Sequence, residues 1–330
     1  MQAILAVTFP FFALVLLGYL AVQRRYLPES AIPGLNGFVL FFALPCMLFR
    51  FGAGTPVAQL IDPVLIAMWG GSALLLVALT IALTLRRTPG GAGVTMKDAA
   101  FGALVAAFPN TGFMGFPLLL GLLGEASAGP LIGCLLFDIV VTSSLCLALA
   151  QLRPRSETAT RHGLAVPLAR ALRGALTNPL PWAIALGVLA SALSLKLPAP
   201  VMEIVRMLGD SATPVALFTI GAVLWRAQQQ VHTRTPAREF VPVALVKLLA
   251  HPLLLLGAGL LANAAGANVS PFALTVLVLA AALPSASNVS LLAERYGADN
   301  GRITRIIMVS TALAFVSFSL IAWLFGLHRG

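Results

Sequence analysis

Two interrupted apolar segments decide the fold of this chain: FPNTGFMGFP at residues 108–117 and ALPSASNVSLLAERYG at residues 282–297. Each segment places a proline and small hydroxyl or amide side chains in the middle of a stretch that is otherwise suited only to hydrocarbon. The two prolines, Pro109 and Pro284, are about 175 residues apart and occupy corresponding places in the two halves of the chain. A matched pair of broken hydrophobic segments is typical of the substrate site of a secondary transporter.

The composition indicates an integral membrane protein. Hydrophobic residues make up 59% of the chain, charged residues make up 10%, and the mean hydropathy is +0.96. A soluble domain with a wetted surface does not have this composition. The net charge of +10 comes from short basic clusters between apolar stretches rather than from a continuous basic surface, so we predict no nucleic-acid partner.

Apolar stretches long enough to cross a bilayer recur along the whole chain. A hydrocarbon core of roughly 30 Å requires about 20 helical residues. We therefore predict an all-α integral membrane protein with about ten transmembrane helices, surrounded by the lipid bilayer. The predicted spans cover residues 2–22, 33–52, 63–85, 99–123, 129–150, 179–197, 201–226, 239–262, 271–293 and 303–325.

Basic residues concentrate in alternate loops, which predicts the orientation of the chain. These loops contain Arg24 and Arg25, then Arg86, Arg87 and Lys97, then Arg153, Arg155, Arg161, Arg170 and Arg173, then Arg226, Arg234 and Arg238, and finally Arg295, Arg302 and Arg305. Because Lys and Arg are retained on the cytoplasmic side, we expect both termini to lie outside the cytosol. The first span has no basic residue before it and two after it, opposite to a secretory signal peptide, so we interpret it as a permanent helix.

The longest polar interruption, RPRSETATRHGLAVPLARALRG at 153–174, divides the ten predicted spans into two groups of five. We predict a first five-helix repeat over residues 1–150, a cytosolic loop over 151–178 and a second five-helix repeat over 179–330. An odd number of spans in the first repeat makes the second repeat enter the membrane in the opposite orientation. In such inverted repeats the substrate site is formed near the bilayer midplane by discontinuous helices, here the fourth and ninth spans.

The chemistry of the two breaks suits an anion. Proline removes a backbone donor and blocks the carbonyl of the preceding turn, and a helix that restarts after the break points free N–H groups and the positive end of its dipole into the gap. The candidate substrate-binding residues are Pro109, Asn110, Thr111, Gly112, Pro284, Ser285, Ser287 and Asn288. The alternative is a proline kink whose freed backbone groups are satisfied by neighbouring hydroxyls.

Four ionisable residues within predicted spans are candidates for coupling or gating, because a charge at membrane depth is costly. Asp138 requires either a cation partner or a proton. Asp210 could gate the substrate or cap a helix that restarts in its segment. Lys247 and His251 share a helix face at i, i+4, but Lys247 could instead extend to the interface and His251 could be a hydrogen-bonded packing residue.

Other chemistry finds little support in the sequence. Cys46, Cys134 and Cys146 lie within predicted spans at spacings that match no metal or redox motif, so we expect neither a disulfide nor a metal, and no cofactor. The chain lacks a GxxxxGK[ST] nucleotide loop and the HExxH and GxSxG patterns. We therefore expect a protein that is not an enzyme; an intramembrane enzyme is the disfavoured alternative.

The fourth span, FPNTGFMGFPLLLGLLG, resembles the corresponding motif of the auxin efflux carrier family. The resemblance continues in order through GLNGFVLFFALPCMLFRF at 34–51, TNPLPWAIALG at 177–187, LGDSATPVALFTIGAVL at 208–224, KLLAHPLL at 247–254 and LPSASNVSLLAERYG at 283–297. It implies a ten-helix fold of two inverted repeats with crossing, broken fourth and ninth helices, like that of bile-acid symporters and sodium/proton antiporters. It is compatible with a homodimer in a bacterial inner membrane.

The same resemblance implies the transport of organic anions. Plant members carry auxin, and bacterial members are linked to malonate or malate. Asn110 aligns with the family's fourth-helix asparagine, which contacts the substrate carboxylate, and Asn288 lies in the equivalent region of the ninth helix. Plant carriers have a second proline where this chain has Val289, and often a longer central loop, so the identity of the substrate does not carry over.

We therefore predict a secondary-active efflux carrier for a small organic anion, such as a mono- or dicarboxylate. It would work by alternating access, driven by the membrane potential, a proton gradient or both. The alternative within transport is a sodium- or proton-coupled symporter or antiporter of the same fold. That alternative predicts clustered acidic ligands at the crossing, where this chain has amides and hydroxyls.

Overall fold

The computed structural model describes residues 2–54, 62–85, 94–152, 169, 173–174, 176–195, 197–229 and 235–327. Within these ranges the chain is helical, and the one extended pairing is an isolated bridge between Pro109 and Ser285. The helices are α1 (Gln2–Gln23), α2 (Glu29–Gly54), α3 (Pro63–Leu85), α4 (Met96–Ala107), α5 (Thr111–Leu123), α6 (Glu125–Ala150), α7 (Pro179–Ala192), α8 (Ala199–Gln229), α9 (Ala237–Ala264), α10 (Pro271–Ala282), α11 (Val289–Tyr296) and α12 (Asn300–Leu324).

The helices confirm a multi-pass membrane protein. Six of them, α2, α3, α6, α8, α9 and α12, are individually long and apolar enough to cross a membrane. The predicted breaks are also confirmed, because the 99–123 span is divided into α4 and α5 and the 271–293 span into α10 and α11. Most of the predicted 151–178 loop lies outside the described residues.

The helices α4 and α10, which precede the two breaks, form the centre of the protein. Residues 99–107 of α4 and 276–282 of α10 are buried around the whole circumference of the helix. Both stretches are rich in alanine, and small side chains let neighbouring helices approach from every side. The two breaks are therefore surrounded by protein rather than lipid, which is where non-helical backbone can exist at membrane depth.

Glycines allow two pairs of helices to pack closely. In the α1–α8 pair, an ideal Cβ at Gly18 would overlap the carbonyl oxygen of Phe218, and one at Gly221 would overlap the carbonyl oxygen of Val15. In the α2–α7 pair, Gly52 and Gly187 lie against each other's helix backbone in the same way. The close approach in each pair therefore requires a glycine on both helices at the point of contact.

A buried arginine joins the N-terminal ends of three helices. Arg302, in the first turn of α12, is 2% exposed and donates to the carbonyl oxygens of Glu239 and Asp98, each at 2.9 Å. Its third contact is Thr84 Oγ1 at 3.4 Å. A Cβ at Gly102 would lie 3.0 Å from the guanidinium, so this glycine makes room for it. The first turns of α4 and α9 are thus held against α12.

A second set of contacts holds the start of α4 against the turn between α11 and α12. The carboxylate of Asp98 accepts from the backbone N–H of Asp299 at 2.8 Å, and Lys97 Nζ donates to the carbonyl oxygen of Gly297 at 3.2 Å. Gly297 ends α11 with a φ of +64°, a conformation that favours glycine. The two interrupted segments are therefore in contact at this end as well as at their breaks.

Candidate functional site

The two breaks meet and pair with each other. The backbone N–H of Asn110 donates to the carbonyl oxygen of Pro284 at 2.8 Å, and the N–H of Ala286 donates to the carbonyl oxygen of Phe108 at 3.0 Å. These bonds belong to the antiparallel bridge at the crossing. Each break therefore satisfies backbone groups that the other would leave unpaired in an apolar environment.

Local sequence explains the shape of the first break. Pro109 cannot donate to the preceding turn, so α4 ends before it and the helix restarts at Thr111 with a wide π-helical turn. In that turn the N–H groups of Met114 and Gly115 both donate to the carbonyl oxygen of Asn110, at 3.0 and 2.9 Å. A Cβ at Gly115 would lie 2.7 Å from Leu283 Cδ1, so glycine permits the second break to approach.

Both restarted helices begin with free backbone donors. Within the described part of the chain, the N–H groups of Gly112 and Phe113 in α5 and of Ser287 and Asn288 at the start of α11 form no hydrogen bond. Such donors coincide with the positive end of a helix dipole. Two helix N-termini therefore meet at one place, an arrangement that favours an anion.

A cavity of about 560 Å³ opens against the crossing. The two breaks contribute seven residues to its wall: Phe108, Pro109, Asn110, Gly112, Phe113, Ala286 and Asn288. The remaining wall comes from α2, α6, α11 and the segment around the start of α7. The free donors of the two helices are thus next to a space large enough for a small organic molecule.

Asn110 is the most distinctive side chain of this cavity. The residue is 3% exposed and lines the cavity, and no hydrogen bond of its side-chain amide is found within the described part of the chain. Buried polar side chains are normally paired, because an unpaired donor or acceptor costs about 1–3 kcal/mol. An amide left free at the wall of a cavity is therefore available to a ligand.

The structure separates the predicted site residues into two groups. Four of them line the cavity: Pro109, Asn110, Gly112 and Asn288. Four others lie at the crossing without contributing to the cavity wall: Thr111, Pro284, Ser285 and Ser287. The hydroxyl oxygens of Thr111 and Ser285 are fully buried and have no partner within the described ranges.

Sequence reasoning missed several polar residues of the cavity. These are Asn36 on α2, Arg173, Asn178 before α7, and Arg295 and Tyr296 on α11. In the sequence, Arg173 and Arg295 indicate only the orientation of the chain. The spacing of Arg295 from Asn288, seven residues along a helix, is a signal that could have identified it. Asn36 and Asn178 carry no comparable signal, because they come from parts of the chain far from the breaks.

Asp138 of α6 is adjacent in sequence to residues that line the cavity, but it belongs to a separate buried cluster. This cluster consists of Trp69, Asp138, Thr142, Lys247 and His251. The Oδ1 of Asp138 accepts hydrogen bonds from Trp69 Nε1 at 3.1 Å and from Thr142 Oγ1 at 2.9 Å. Its Oδ2 is buried and has no partner among the described residues. No cation of the described chain lies within 4 Å of this carboxylate, so of the two alternatives, a cation partner or a proton, the described residues provide no direct ion pair.

Lys247 and His251 of α9 belong to the same cluster. Lys247 is fully buried and its Nζ donates to the carbonyl oxygen of Ala281 at 2.7 Å, in the last turn before the second break. The alternative in which Lys247 extends to the interface is therefore wrong. Its Nζ is also 3.3 Å from Nδ1 of His251, whose ring centroid lies 5.2 Å from that of Trp69. Nε2 of His251 has no partner within the described ranges.

Asp210 lies apart from both the cavity and this cluster. It accepts from Arg50 at 2.7 Å and from Arg206 at 3.1 Å, and these side chains are 37–52% exposed. The helix α8 is continuous from Ala199 to Gln229, so no helix restarts at Asp210. The capping alternative is therefore wrong. Arg206 also pairs with Glu203 on the same helix, at 2.5 Å.

The remaining candidates for chemistry are packing residues. Cys134 and Cys146 are buried, Cys46 is partly buried, and all three are free thiols within helices. No group of three His, Cys, Asp or Glu residues suited to a metal ion occurs in the described part of the chain.

Comparisons with known proteins agree along most of the chain. The family model described as membrane transport protein matches residues 3–322. The "Putative malonate transporter" of Rhizobium meliloti is 31% identical over 316 residues, which covers 95% of this chain and 93% of the relative. The "Uncharacterized transporter YfdV" of Escherichia coli strain K12 is 25% identical, covering 93% and 92%. "Auxin efflux carrier component 8" of Arabidopsis thaliana is 21% identical, covering 89% of each chain.

Proposed function

Since this chain belongs to the membrane transport protein family, which includes the auxin efflux carriers, we propose that it is a secondary-active carrier that exports a small organic anion. The family is a transport family and the relatives are named as transporters, so the chain is a transporter rather than an enzyme. The substrate class, the site and the coupling are our proposals.

The observation that carries the proposal is the free amide of Asn110 beside two opposed helix N-termini. The amide, the N–H groups of Gly112 and Phe113 and the N–H of Asn288 can all donate to a carboxylate in the cavity. Hydrogen bonds to a charged group are stronger than those to a neutral one. The name of the malonate relative supports a carboxylate as the anion.

We propose that the chain consists of two inverted five-helix repeats, residues 1–150 and 179–330, joined by the 151–178 loop. Each repeat would have its fourth span broken, at Pro109 and at Pro284. The close contacts of α1 with α8 and of α2 with α7 support this, because each pairs the first helix of one repeat with the second helix of the other. The antiparallel crossing of the breaks is also consistent with a two-fold relation.

We further propose a bacterial inner membrane as the location, with both termini outside and the 151–178 loop in the cytosol. The distribution of Lys and Arg supports this orientation. The cavity, which includes Arg173 and Arg295, would then open toward the cytosol. This is the side from which an exported metabolite enters. A homodimer remains part of the proposal on the basis of the family alone.

The buried cluster provides the proposed coupling group. A carboxylate and a histidine each with an unpaired atom, Asp138 Oδ2 and His251 Nε2, can exchange a proton at membrane depth. Lys247 connects this cluster to the end of α10, next to the crossing. Ionisable residues inside the membrane commonly form such relays. An inside-negative potential alone would also favour export, by about 2.3 kcal/mol per charge per 100 mV.

Sodium coupling is the second candidate, and the described residues favour it less. Sodium is bound by several oxygen ligands, whereas the cluster around Asp138 contains one carboxylate beside a lysine and a histidine. A nearby ammonium group would repel the ion. Proton movement with the anion therefore fits this cluster better than sodium movement.

The decisive experiment is transport in proteoliposomes. Uptake and counterflow of labelled malonate, malate, pyruvate and indole-3-acetate would be measured with the pH gradient and the membrane potential set independently. Saturable flux that is lost in Asn110→Ala supports an organic-anion carrier and identifies its driving ion. Movement of sodium or protons without flux of any acid would instead support the antiporter alternative.

A further inference from the structure

The wall of the cavity carries positive charge that one carboxylate would not balance. Among the described residues that line it there are two arginines, Arg173 and Arg295, and no aspartate or glutamate. Both arginines are exposed, and neither guanidinium group has a hydrogen-bond or ion-pair partner within the described part of the chain. The charge of the cavity therefore suits a ligand with more than one negative charge.

One face of α11 joins the crossing to Arg295. The cavity-lining residues of this segment are Asn288, Leu291, Leu292, Arg295 and Tyr296, and the first four are spaced at i, i+3, i+4 and i+7. This spacing places them on one side of a helix, with the amide at its start, two leucines in the middle and the guanidinium two turns later. The Cα positions of Asn288 and Arg295 differ by about 10 Å along the axis.

The Arg295 side chain is long, so its guanidinium group can lie closer to the crossing than its Cα does. Side chains of a helix lean toward its N-terminus, and for Arg295 this is the direction of Asn288 and the crossing. The guanidinium can therefore approach a ligand whose other end is at Asn110. A guanidinium can bind a carboxylate through two parallel hydrogen bonds, which an ammonium group cannot reproduce.

We propose that Arg295 binds the second carboxylate of a short-chain aliphatic dicarboxylate whose first carboxylate is held at the crossing. The methylene groups between the two carboxylates would lie against Leu291 and Leu292. This inference rests on the proposed function, because it assigns a further contact within the same cavity. Arg295 is then the residue that distinguishes dicarboxylates from monocarboxylates of similar size.

A cation in the last turn of a helix also stabilises the helix dipole, so stability does not test the proposal. The readout is substrate preference. We would measure the ratio of kcat/KM for malonate, succinate and glutarate to that for their monomethyl esters, which keep the chain length and remove one charge. The variants are Arg295→Gln, Arg173→Gln and the control Arg24→Gln, an exposed arginine outside the cavity.

The wild-type protein and Arg24→Gln should prefer at least one diacid over its ester by about tenfold or more, the value of a charge-assisted contact. Arg295→Gln should bring that ratio to about one while transport of the esters continues. An unchanged ratio in Arg295→Gln, or a loss of preference in Arg173→Gln alone, would overturn the assignment. If no diacid or ester is transported by any variant while pyruvate or indole-3-acetate is, the assignment of Arg295 fails and the proposed function stands. If none of these acids is transported, the proposed function itself fails, which is a different result.

Discussion

The backbone N–H of Asn110 donates a 2.8 Å hydrogen bond to the carbonyl oxygen of Pro284. This bond joins two breaks that lie in opposite halves of the chain and fixes the position of the Asn110 side chain at the cavity. Pro284 cannot donate and Pro109 cannot donate, so the two breaks depend on each other for hydrogen bonds. The site that we propose for the anion is therefore a product of the crossing rather than of either segment.

Asn110→Ala and Asn288→Ala should insert and fold but transport slowly. Each removes an amide that faces the cavity, and a hydrogen bond to a charged group contributes about 1.5–3 kcal/mol, or roughly ten- to 150-fold in kcat/KM. Labelled malonate flux in proteoliposomes checks this. Gln229→Ala, which removes an exposed amide at the end of α8, is the control. Wild-type flux in both cavity variants would rule out the proposed site.

Pro109→Ala and Pro284→Ala should also reduce flux. Alanine would allow each helix to continue through the break, which would withdraw the free N–H groups and the pairing between the breaks. Pro10→Ala is the matched control, because Pro10 lies within the continuous helix α1. Flux and thermal unfolding are measured together, since an equal loss of stability in all three variants would indicate a general folding effect instead.

Asp138→Asn and His251→Gln should separate exchange from accumulation. If these residues exchange the coupling proton, their neutral substitutes keep counterflow of the labelled anion and lose uptake driven by a pH gradient. Asp210→Asn is the control variant, because Asp210 lies outside both the cavity and the buried cluster around Asp138. Accumulation that survives in Asp138→Asn and His251→Gln would remove both residues from the coupling mechanism.

Gly221→Ala should lower the melting temperature in detergent. A Cβ at this position would overlap the carbonyl oxygen of Val15, and backbone atoms cannot move aside as a flexible side chain can. Overpacking of this kind costs about 1–3 kcal/mol. Gly71→Ala is the control, because its Cβ would meet no atom within 4 Å. Equal melting temperatures in the two variants would contradict the close α1–α8 contact.

Arg302→Lys should destabilise the protein although the charge is kept. One ammonium group cannot reach the carbonyl oxygens of Glu239 and Asp98 and the hydroxyl of Thr84 together, so buried acceptors lose their donor at about 1–3 kcal/mol each. Arg24→Lys, at an exposed position, should have no such effect. The measurement is thermal unfolding in detergent, and an unchanged melting temperature in Arg302→Lys would contradict the role of the three contacts.

Much of the fold could be predicted because its determinants are local. Hydropathy identified helices at all ten predicted spans, and the prolines identified both breaks. The site was only partly predictable. Asn110 and Asn288 carry their own signal as polar residues beside a proline break, but whether a side chain such as Thr111 faces the cavity or the protein interior depends on the packing of other helices.

Asp210 shows the limit most directly. Its segment was open to a restarted helix that Asp210 could cap, yet α8 continues through it. Gly209 packs against the backbone of Met47, and Asp210 pairs with Arg50. Lys247 is a second residue whose surroundings could not be predicted from its neighbours in the sequence. Its position near a predicted helix end suggested exposure, and the carbonyl oxygen of Ala281 holds it inside.

The sequence by itself determined that the chain is a helical membrane protein and where two of its apolar stretches must break. Both follow from properties of individual residues, namely the cost of transferring side chains to lipid and the missing N–H of proline. Only the tertiary structure decided that the breaks pair with each other, that Asn110 keeps a free amide, and that Asp138 and His251 share a buried cluster. These depend on which distant groups become neighbours, because a hydrogen bond or an unpaired polar atom is a relation between residues and not a property of either one.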